Sequence, residues 1–541
     1  MKFKHFLAAT VSVVLVAGLF GFGYSQLQSG APSKHENVYQ KLNIFTTVLN
    51  IIQQSYVEKT DPSKLIDDAI QGMLSDLDPH TNYMTADQFK NFSKTLAGYS
   101  GIGISFDIIR KKITIMTVFE GGPAFKAGLQ AGDRIVEIDG ESAIGIKRDD
   151  VPKKLMGPPG TRVKVAVERE GWDKPKEFVL TREKIKVESI PEAVLLKPTV
   201  GYIRIARFSA TTGQELEKAL NKLEARGMKK LLLDLRGNSG GYLQVATEVA
   251  DKFIPGGKMI VFTKGRIPSS YRDYYATDEA THPLYPLIIL IDHGSASASE
   301  IVSGAVQDWD RGLIVGKTSF GKGLVQSQYP FKDGSVLLVT TAKYYTPSGR
   351  CIQRSYSHKS KDEYYKEAYV DSLIKKNAKN LPAFKTFGGR TVYGGGGIRP
   401  DIFLESKEKP PSRFVIDLVY DPNRYFYTFI DDYLHTHPAL KKQKLMDFVN
   451  DFTVSDQMLA DFQDFVLKSN KKLKAEEFSK GNNPQDLKYL LKREIAYHLW
   501  GDEGQFQVNL RRDTVLQQAM NYFPQALKLM EKMDYYKKSG H

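Results

Sequence analysis

Cysteine is almost absent from this sequence, which contains only Cys351 in 541 residues. A single thiol cannot form an internal disulfide, a cysteine-ligated zinc site or a CxxC redox pair. The residues around Cys351 do not resemble the setting of a catalytic cysteine, so we interpret it as an ordinary thiol in a strand or loop. His435 and His437 have no third metal ligand nearby in the sequence. The sequence therefore predicts neither a metal nor a cofactor.

Nucleic-acid signatures are missing as well, although the formal net charge is +14. The lysines and arginines are scattered, and no zinc-finger spacing or aromatic recognition motif accompanies them. We interpret them as a solvated basic surface that faces anionic lipid or acidic protein, and we exclude nucleic acid as a partner. The hydrophobic share of 41% and the charged share of 26% are typical of a folded soluble protein.

Long apolar runs are limited to residues 6–22, which follow Lys2 and Lys4 and precede a polar stretch. This order predicts a signal peptide or an uncleaved signal anchor within residues 1–26. A run of about 17 residues is at the short edge for spanning a bilayer. Because no A-x-A cleavage site and no cysteine for lipidation follow it, we favour an anchored protein that faces away from the cytosol. We expect the protein to be exported.

The length of 541 residues predicts three or four domains rather than a single core. Helical spacing of apolar residues in 38–56, and a second helix after Asp61, predict a small helical domain over residues 36–95. Residues 184–406 alternate strand and helix, which is typical of an α/β core. Residues 410–541 show helical periodicity without a catalytic pattern and predict a C-terminal helical domain of unknown role. The fold class is multidomain α+β.

A cluster of serines lies where a buried strand is predicted to end and a helix to begin. Ser295, Ser297 and Ser299 follow the apolar run 287–292 in a loop of small residues. A hydroxyl at such a corner is exposed, and the helix N–H groups and dipole can stabilise the oxyanion of an acyl-transfer intermediate. A serine before a helix is also the commonest N-cap, so this segment alone leaves both interpretations open.

A lysine between two glycines follows a predicted strand further along the chain. Gly321 and Gly323 let the backbone turn tightly, which can carry Lys322 into a crowded interior. To act as a base the amine must be neutral, so its pKa must fall from about 10.4 to about 7 or 8. The neighbouring Phe320 and Leu324 are consistent with the burial that this requires. A solvated turn with an exposed amine fits the same residues.

Short alternating strands and glycines begin near residue 96. The stretches 101–118, 122–129 and 131–140 together closely resemble a PDZ domain, and the resemblance covers about residues 93–183. We assign a PDZ domain to residues 96–183 on this basis.

This resemblance implies a peptide-binding site at Gly101, Ile102, Gly103 and Ile104. Glycines at 101 and 103 would let backbone N–H groups turn inward and hold a carboxylate. The strand that begins near Ile104 would accept a peptide by β-augmentation, in which main-chain hydrogen bonds supply the affinity. Gly-x-Gly alone indicates only a turn, so the interpretation depends on the Gly-Leu-x-x-Gly-Asp-x-Ile stretch at 128–135.

The serine and lysine segments closely resemble those of the C-terminal processing peptidases, also called tail-specific proteases. Stretches 294–308 and 315–323 carry the resemblance, and the order of helical segment, PDZ domain and α/β core extends it over most of the chain. It implies that Ser297 is the nucleophile and that Lys322, 25 positions downstream, is the general base. Gln326 then corresponds to the glutamine that orients the lysine amine.

The same resemblance implies that the α/β core is of the crotonase/ClpP-like kind and has an oxyanion loop at 234–241. In that loop a glycine N–H joins the N–H of the residue after the nucleophile. These positions correspond to Gly240 and Ala298, with Gly241 as the second choice. A glycine-rich phosphate loop is the alternative, but the Gly-Lys-Ser/Thr ending of a nucleotide site is missing.

A histidine-based triad is disfavoured by the sequence. Asp292 and His293 lie so close to Ser297 that the three would not readily reach a triad geometry across a strand end. A modulating role of His293 at the site is kept as a minor alternative.

Together these features predict an ATP-independent serine endopeptidase that recognises protein C-termini through its PDZ domain and cleaves through an acyl-enzyme. We expect it to process or degrade envelope proteins in the bacterial periplasm or cell envelope, with inner-membrane anchoring and a homo-oligomer left open. One alternative is a non-catalytic PDZ scaffold that binds peptides and keeps a protease-like core, which labelling by a serine-directed probe would separate. Another is acyl-thioester chemistry on the same kind of core, for which a PDZ domain is less natural.

Overall fold

The computed structural model describes residues 34–119, 121–169, 171–185, 187–254, 256–277, 281–370, 373 and 381–538. The predicted signal peptide or anchor at residues 1–26 lies outside these ranges. Among the described helices, none combines the length and apolarity that crossing a bilayer requires. The chain divides after Leu77 into two units, which are described separately.

The described part of the first unit is a pair of helices, α1 (Lys34–Ser55) and α2 (Pro62–Ser75). Helix α2 begins where the sequence predicts it. Asp61 accepts a hydrogen bond from the Ser63 N–H at 2.9 Å, and Pro62 occupies the first turn, where its missing N–H costs nothing.

The first compact unit ends at Leu77, inside the helical domain that the sequence predicts for residues 36–95. Strand β1 (Asn82–Met84) belongs to the second unit, because it pairs antiparallel with residues 336–338 of the α/β region. Helix α3 (Ala86–Ala97) follows it and begins with a capping box formed by Thr85 and Gln88. A pairing partner about 250 residues away leaves no local trace in the sequence, which explains the difference.

Residues 99–185 form an antiparallel β domain, as the resemblance to PDZ domains implies. Its elements are β2 (Tyr99–Gly101), β3 (Ile104–Ile109), β4 (Lys112–Val118), α4 (Pro123–Lys126), β5 (Arg134–Ile138), β6 (Glu141–Ser142), α5 (Val151–Leu155), β7 (Arg162–Glu168), β8 (Lys176–Thr181) and β9 (Glu183–Ile185). The main sheet has the order β3-β4-β5-β7-β8, with β6 added to β5, and β2 pairs with β9 where the chain enters and leaves. Alternate strand residues such as Ile113, Ile115 and Ile135 form the core.

Residues 192–403 contain the α/β core. Its elements are β10 (Glu192–Lys197), β11 (Val200–Arg204), α6 (Thr212–Ala225), β12 (Lys230–Asp234), α7 (Leu243–Asp251), β13 (Met259–Gly265), β14 (Arg272–Tyr275), β15 (Leu287–Ile291), α8 (Ala298–Asp308), β16 (Leu313–Gly316), β17 (Leu324–Pro330), β18 (Val336–Tyr345), α9 (Lys361–Tyr369), β19 (Ala383–Lys385), β20 (Thr391–Tyr393) and β21 (Ile402–Phe403). The main sheet has the order β10-β11-β12-β15-β16-β21 and is parallel except for β10. The predicted alternation of strand and helix is confirmed.

The core also contains a second, antiparallel sheet, which the sequence analysis did not describe. Strand β18 lies between β17 on one side and β1 with β13 on the other, and β14 extends the sheet beyond β13. This sheet matters for function because β17 begins at Leu324, directly after the Gly-Lys-Gly turn.

The C-terminal region is helical, as predicted. Its helices are α10 (Arg413–Val419), α11 (Tyr425–Thr436), α12 (Leu445–Asp451), α13 (Asp456–Ser469), α14 (Ala475–Phe478), α15 (Asn483–Arg512), α16 (Thr514–Ala519) and α17 (Phe523–Lys538). Helices α10 to α15 pack around a cluster of their own that includes Phe448, Phe462 and Leu491. Short 3₁₀ turns accompany them at Pro438–Lys442 and Met520–Tyr522.

The two faces of the main core sheet are covered by different parts of the chain. Leu231 and Leu233 of β12 share an apolar cluster with residues of α6, α7 and α8. Leu232, which faces the other way, shares a cluster with Leu516 of α16 and Phe523 of α17. A boundary at residue 410 therefore separates α16 and α17 from the core that they complete. Helical periodicity alone does not indicate which surface a helix covers.

The C-terminal helices also contact the PDZ-like domain. Asp431 of α11 pairs with Arg134 of β5 at 2.9 Å. The Tyr497 hydroxyl of α15 lies 2.9 Å from the Thr117 hydroxyl of β4. Helices α11 and α15 thus hold the PDZ-like sheet from one side.

A buried ion pair stabilises the C-terminal end of α8. Arg350 Nη2 lies 2.8 Å from Asp308 Oδ1, and neither side chain is exposed to solvent. The change Asp308→Ala leaves the guanidinium uncompensated in the core, so we expect the free energy of unfolding to fall by about 3–5 kcal/mol. Chemical denaturation measures this, with the exposed Asp417→Ala, which breaks a surface pair with Arg413, as the matched control. An unchanged denaturation midpoint in Asp308→Ala would show that the pair does not stabilise the core.

Candidate active site

Ser297 lies at the sharp corner between β15 and α8. Strand β15 ends at Ile291, α8 begins at Ala298, and Ser297 has φ 54° and ψ −111°. Residues other than glycine rarely adopt this conformation, and such strain is concentrated at functional sites. The Ser297 N–H donates to Glu300 Oε2 at 2.8 Å. Ser297 therefore occupies the N-cap position, in a backbone conformation that an ordinary cap does not need.

The three serines of this segment have different surroundings. The Ser295 hydroxyl donates to the Leu235 carbonyl at 2.8 Å, and the Ser299 hydroxyl donates to the Asn238 carbonyl at 2.8 Å. Both of these serines are fully buried. Ser297 is half-buried and lines a cavity of about 490 Å³. Of the three serines, Ser297 is the one that a substrate in that cavity can reach.

Lys322 and Gln326 line the same cavity as Ser297. The Lys322 Nζ donates to Gln326 Oε1 at 2.8 Å, and the Gln326 Nε2 donates to the His80 carbonyl at 2.5 Å. Because the second bond fixes which end of the amide is nitrogen, Gln326 presents its oxygen to the amine. A neutral amine has one lone pair, and donating an N–H to Gln326 leaves that lone pair unused.

The positive charge of Lys322 is disfavoured at this position. Burial lowers the pKa of the Lys322 amine below its ordinary value, while the negative charges of Asp78 and Glu300 act in the opposite direction. The net lowering increases the neutral fraction of the amine. This is the direction that a general base requires.

His80 is a neighbour of this pair that the sequence analysis did not single out. Its carbonyl anchors Gln326, and its Nε2 lies 3.1 Å from the Tyr364 hydroxyl. Burial and the charge of Lys322 lower the pKa of His80 to about 4, so the imidazole is neutral at pH 7. Asp78 fixes this loop by accepting the His80 and Thr81 N–H groups, each at 2.9 Å. In the sequence, only the cluster of turn residues at 77–83 indicates the loop that contains His80.

The buried carboxylate of Glu300 joins the serine loop to the lysine loop. It accepts the Ser297 N–H at 2.8 Å, the Gly321 N–H at 2.7 Å and the Lys322 N–H at 2.9 Å. The Ser319 hydroxyl adds a further bond at 2.5 Å. Burial raises the pKa of Glu300, and these donors oppose the rise by stabilising the carboxylate. The Ser-x-x-Glu capping-box pattern could have revealed this residue from the sequence.

The glycine-rich loop after β12 lies against the predicted nucleophile. A methyl group at Gly240 would come within 2.8 Å of the Ser297 Cβ and 2.9 Å of the Ala298 nitrogen. Gly240 and Gly241 have φ of 101° and 153°, a region that residues with side chains rarely adopt. Both glycines line the cavity of Ser297. The predicted oxyanion residues are thus brought together beside Ser297.

The two glycines differ in how their N–H groups are used. The Gly240 N–H donates to Asn238 Oδ1 at 2.9 Å, so it is occupied in this conformation. Among the hydrogen bonds found between described residues, none is donated by the Gly241 or Ala298 N–H. The sequence analysis placed Gly240 before Gly241 as an oxyanion donor. In this conformation the Gly241 N–H can donate to an oxyanion without rearrangement, whereas the Gly240 N–H would first have to leave Asn238 Oδ1.

Replacing Gly240 by alanine tests the close approach of this loop. The new methyl group collides with Ser297, and the backbone conformation becomes strained, so we expect kcat to fall by about 10²–10³-fold. The matched control is Gly389→Ala, which has φ 84° and open space around it, and therefore carries the strain without the collision. Steady-state proteolysis of both variants decides the matter. Equal kcat values in the two variants would contradict the close approach.

The alternative of a histidine triad gains no support from the arrangement of Asp292 and His293. The His293 Nδ1 lies 2.7 Å from the Thr318 carbonyl. Asp292 Oδ1 accepts the Gly237 N–H at 2.8 Å and the Gly294 N–H at 2.9 Å. These two residues therefore connect the loops around the cavity.

The remaining candidates from the sequence are Cys351 and the histidines at 435 and 437, and their surroundings do not indicate a catalytic or metal-binding role. Cys351 is partly buried, and burial raises the pKa of its thiol, which disfavours the reactive thiolate. The His437 ring stacks on Tyr433 with the centroids 3.8 Å apart. Among the described residues, no group of three or more ligating side chains is arranged to hold a metal ion.

The residues predicted to bind peptide lie at one edge of the PDZ-like sheet. Gly101 ends β2, and Ile104 begins β3, which is the terminal strand of the sheet. Gly103 between them has φ 78°. The carbonyls of Ile102 and Gly103 are used inside the domain by the Ala124 and Phe119 N–H groups. An added strand would therefore pair with the outer edge of β3.

Comparisons with known proteins follow the same division of the chain. Peptidase family S41 matches residues 199–358, and a PDZ domain family matches residues 114–169. The N-terminal domain family of the activating protease CtpB matches residues 23–88. A family of unknown function matches residues 419–501.

Relatives of established family match across these domains. The carboxy-terminal-processing protease of Bartonella bacilliformis is 38% identical over 336 residues, which cover 60% of this chain and 76% of the relative. This chain belongs to the carboxy-terminal processing protease family. Carboxy-terminal processing protease CtpA of Bacillus subtilis is 32% identical over 358 residues, which cover 65% of the protease described here and 75% of the relative. The protease is a serine-type peptidase with a PDZ domain.

Among solved structures, the photosystem II D1 C-terminal processing protease aligns with 68% of this protease and 94% of its own chain. The sequence identity is 26% and the TM-score is 0.33. The family assignment depends on the relatives that are similar in sequence.

Proposed function

We propose that the protease cleaves peptide bonds by a Ser–Lys mechanism. Ser297 is the nucleophile, Lys322 is the general base, and Gln326 orients the amine. The observation that carries the proposal is the bond from the Lys322 amine to Gln326, which is made in the cavity that Ser297 lines. The lowered pKa of Lys322 supports the assignment further.

The chemistry proceeds through an acyl-enzyme. The Ser297 oxygen bonds to the scissile carbonyl carbon while its proton passes to the neutral Lys322 amine. The oxyanion accepts the Ala298 and Gly241 N–H groups. The C–N bond then breaks, and the Lys322 ammonium gives its proton to the leaving amine. Lys322 then takes a proton from water, and the water oxygen bonds to the ester carbonyl carbon. The ester C–O bond breaks, and the Lys322 ammonium returns the proton to the Ser297 oxygen, which releases the acid and restores both residues.

The proposed substrates are proteins recognised at their C-termini by the PDZ domain. The support is the terminal position of β3 in its sheet, together with the turn at Gly103 that precedes it. Main-chain hydrogen bonds to an edge strand depend little on the side chains of the peptide, so the terminal carboxylate supplies much of the selectivity. A substrate tail held there leaves the preceding chain to reach the cavity of Ser297.

A pair of matched substrates tests this recognition. The first is a small folded protein that ends in apolar residues with a free carboxylate, and the second is the same protein with an amidated C-terminus. Loss of charge-assisted hydrogen bonds worth about 1.5–3 kcal/mol lowers kcat/KM for the amidated substrate by roughly 10- to 100-fold. Quantitative mass spectrometry of the products measures the ratio. Equal kcat/KM values would reject recognition of the terminal carboxylate.

The proposed setting is the bacterial periplasm or cell envelope, with envelope proteins as substrates. The support is the apolar run at 6–22, flanked by basic residues on its N-terminal side. Comparing the envelope proteome of cells that express the protease or its Ser297→Ala variant identifies these substrates. Accumulation only of cytosolic proteins in the variant strain would contradict this setting.

A further inference from the structure

The oxyanion loop is tied to a residue far along the chain. Arg236 lies two residues after the end of β12, and its guanidinium binds two carboxylates at once. Its Nη2 lies 2.6 Å from Asp234 Oδ2, and the same nitrogen lies 2.6 Å from Asp513 Oδ2, with Nη1 at 3.2 Å from Asp513 Oδ1. Two parallel bonds to one carboxylate fix orientation as well as distance.

Asp513 is itself held in place on the core. It lies between α15 and α16 and caps α16 by accepting the Leu516 N–H at 2.8 Å. Leu516 then packs on the main core sheet in the cluster that contains Leu232 and Leu290. The Asp513 carboxylate is therefore a rigid support for Arg236 and not a flexible surface group.

Asp234 and Arg236 each favour the charged form of the other. Burial acts to raise the pKa of Asp234, but the charge and hydrogen bonds of Arg236 outweigh it and hold the pKa below its ordinary value. The two carboxylates in turn raise the pKa of Arg236. The guanidinium is thus a permanent cation between two anions. Neutralising Asp513 removes one of the two carboxylate charges that hold the Arg236 guanidinium.

Arg236 starts the loop that reaches Ser297. The Gly237 N–H donates to Asp292 Oδ1 at 2.8 Å, the Asn238 Nδ2 donates to the Ile205 carbonyl at 2.7 Å, and Asn238 Oδ1 holds Gly240. Among these named contacts, Asp513 is the partner that comes from the C-terminal helices. At the far end of the loop, Gly240 lies in close contact with the nucleophile.

We propose that Asp513 is a positioning residue for the oxyanion hole, because through Arg236 it holds the loop that carries Gly240 and Gly241 against Ser297. This inference rests on the proposed Ser–Lys mechanism. It gives the C-terminal helices a role in turnover, since they carry an anchor of the loop. A displacement of this loop of the order of 1 Å lowers the rate by about 10²-fold.

The variant Asp513→Asn separates this role from helix capping. Asparagine caps helices as well as aspartate does, so α16 keeps its N-terminal bond while the ion pair with Arg236 loses its charge. The matched control is Glu408→Gln. This substitution removes the carboxylate that binds Arg512 Nε at 2.8 Å, next to Asp513. Among the hydrogen bonds of the described residues, none joins the Glu408 side chain to the loop.

Two readouts distinguish positioning from general destabilisation. Oxyanion donors bind the transition state and not the substrate, so Asp513→Asn lowers kcat by about 10- to 100-fold with KM unchanged. The second readout uses a peptide aldehyde. The Ser297 oxygen bonds to the aldehyde carbon and its proton passes to the Lys322 amine. The C=O π bond opens at the same time, and the oxyanion that forms lies in the oxyanion hole. In Asp513→Asn the inhibition constant of the aldehyde rises by the same factor as kcat falls. Glu408→Gln has the wild-type kcat and the wild-type inhibition constant.

The route through Arg236 is tested by a double-mutant cycle. In an Arg236→Gln background, Asp513→Asn causes no further loss of kcat if the two residues act as one unit. If Arg236→Gln does not fold, the comparison of Asp513→Asn with Glu408→Gln decides the matter alone.

The outcomes that overturn the proposal are specific. Wild-type kcat and aldehyde inhibition in Asp513→Asn reject it, and so does a raised KM with kcat unchanged. Ser297→Ala is measured alongside. An inactive Ser297→Ala together with a fully active Asp513→Asn rejects the positioning role alone. A fully active Ser297→Ala rejects the Ser–Lys mechanism and the positioning role with it.

Discussion

Ser297→Ala lowers kcat by about 10⁵-fold or more, because the variant has no oxygen to form the acyl-enzyme. Removing the nucleophile of a serine protease leaves only the catalysis that the oxyanion hole and substrate binding provide. We expect the variant to bind substrate with an unchanged KM, since the missing oxygen contributes little to the ground state. Steady-state hydrolysis of a fluorogenic peptide measures the loss.

A matched variant makes this result specific to the site. Ser269→Ala removes an exposed hydroxyl from the same core and leaves the rate unchanged. Both variants should keep the wild-type unfolding midpoint, because neither removes a buried contact on which the fold depends. A Ser297→Ala enzyme with the wild-type rate would place the nucleophile elsewhere.

Lys322→Arg has an effect of similar size. Arginine keeps the positive charge and much of the length, but its guanidinium does not lose its proton in proteins, so it cannot take the proton of Ser297. We expect kcat/KM to fall by about 10⁴-fold or more at every pH. Lys332→Arg, at an exposed position in the turn after β17, is the matched control and keeps full activity.

The pH dependence of the wild type gives this prediction a second test. The neutral amine is the active form, so kcat/KM rises as pH increases through the pKa of Lys322 and then levels off. Burial lowers that pKa, so the rise occurs below the value of about 10.4 that a free lysine shows. The rise is absent in Lys322→Arg. If kcat/KM of Lys322→Arg rose with pH in the same way, the rise would have to come from the titration of another group.

Much of the fold could be predicted because its strands and helices have strong local patterns. The run Leu287–Ile291 is apolar at every position, which is typical of a strand buried on both faces, and the structure buries it completely. Helix α2 could be located from Asp61 and Pro62, which act within one turn. The family resemblance then supplied the assignment to the protease class, which the relatives confirm.

The features that sequence reasoning missed depend on partners distant in the chain. Strand β1 has three residues and is stabilised by pairing with β18, so it carries no periodicity of its own. The role of His80 depends on its carbonyl, which any residue possesses. The packing of α16 and α17 on the core sheet, and the pairing of Asp513 with Arg236, likewise depend on contacts that no local pattern encodes.

The candidate site was predictable in its residue types and less so in its details. Ser297, Lys322 and Gln326 were named from the family resemblance, and they line one cavity. Their roles stay predictions. The hydrogen bond from the Gly240 N–H to Asn238 could not be predicted, because it depends on where the Asn238 side chain lies.

Covalent labelling tests the central claim most directly. Wild type and Lys322→Arg are treated with a fluorophosphonate, which reacts with an activated serine, and the modified peptide is mapped by mass spectrometry. The Ser–Lys account predicts one adduct, on Ser297, that forms in the wild type and not in Lys322→Arg. An adduct on another serine, or labelling of Lys322→Arg at the wild-type rate, would contradict it.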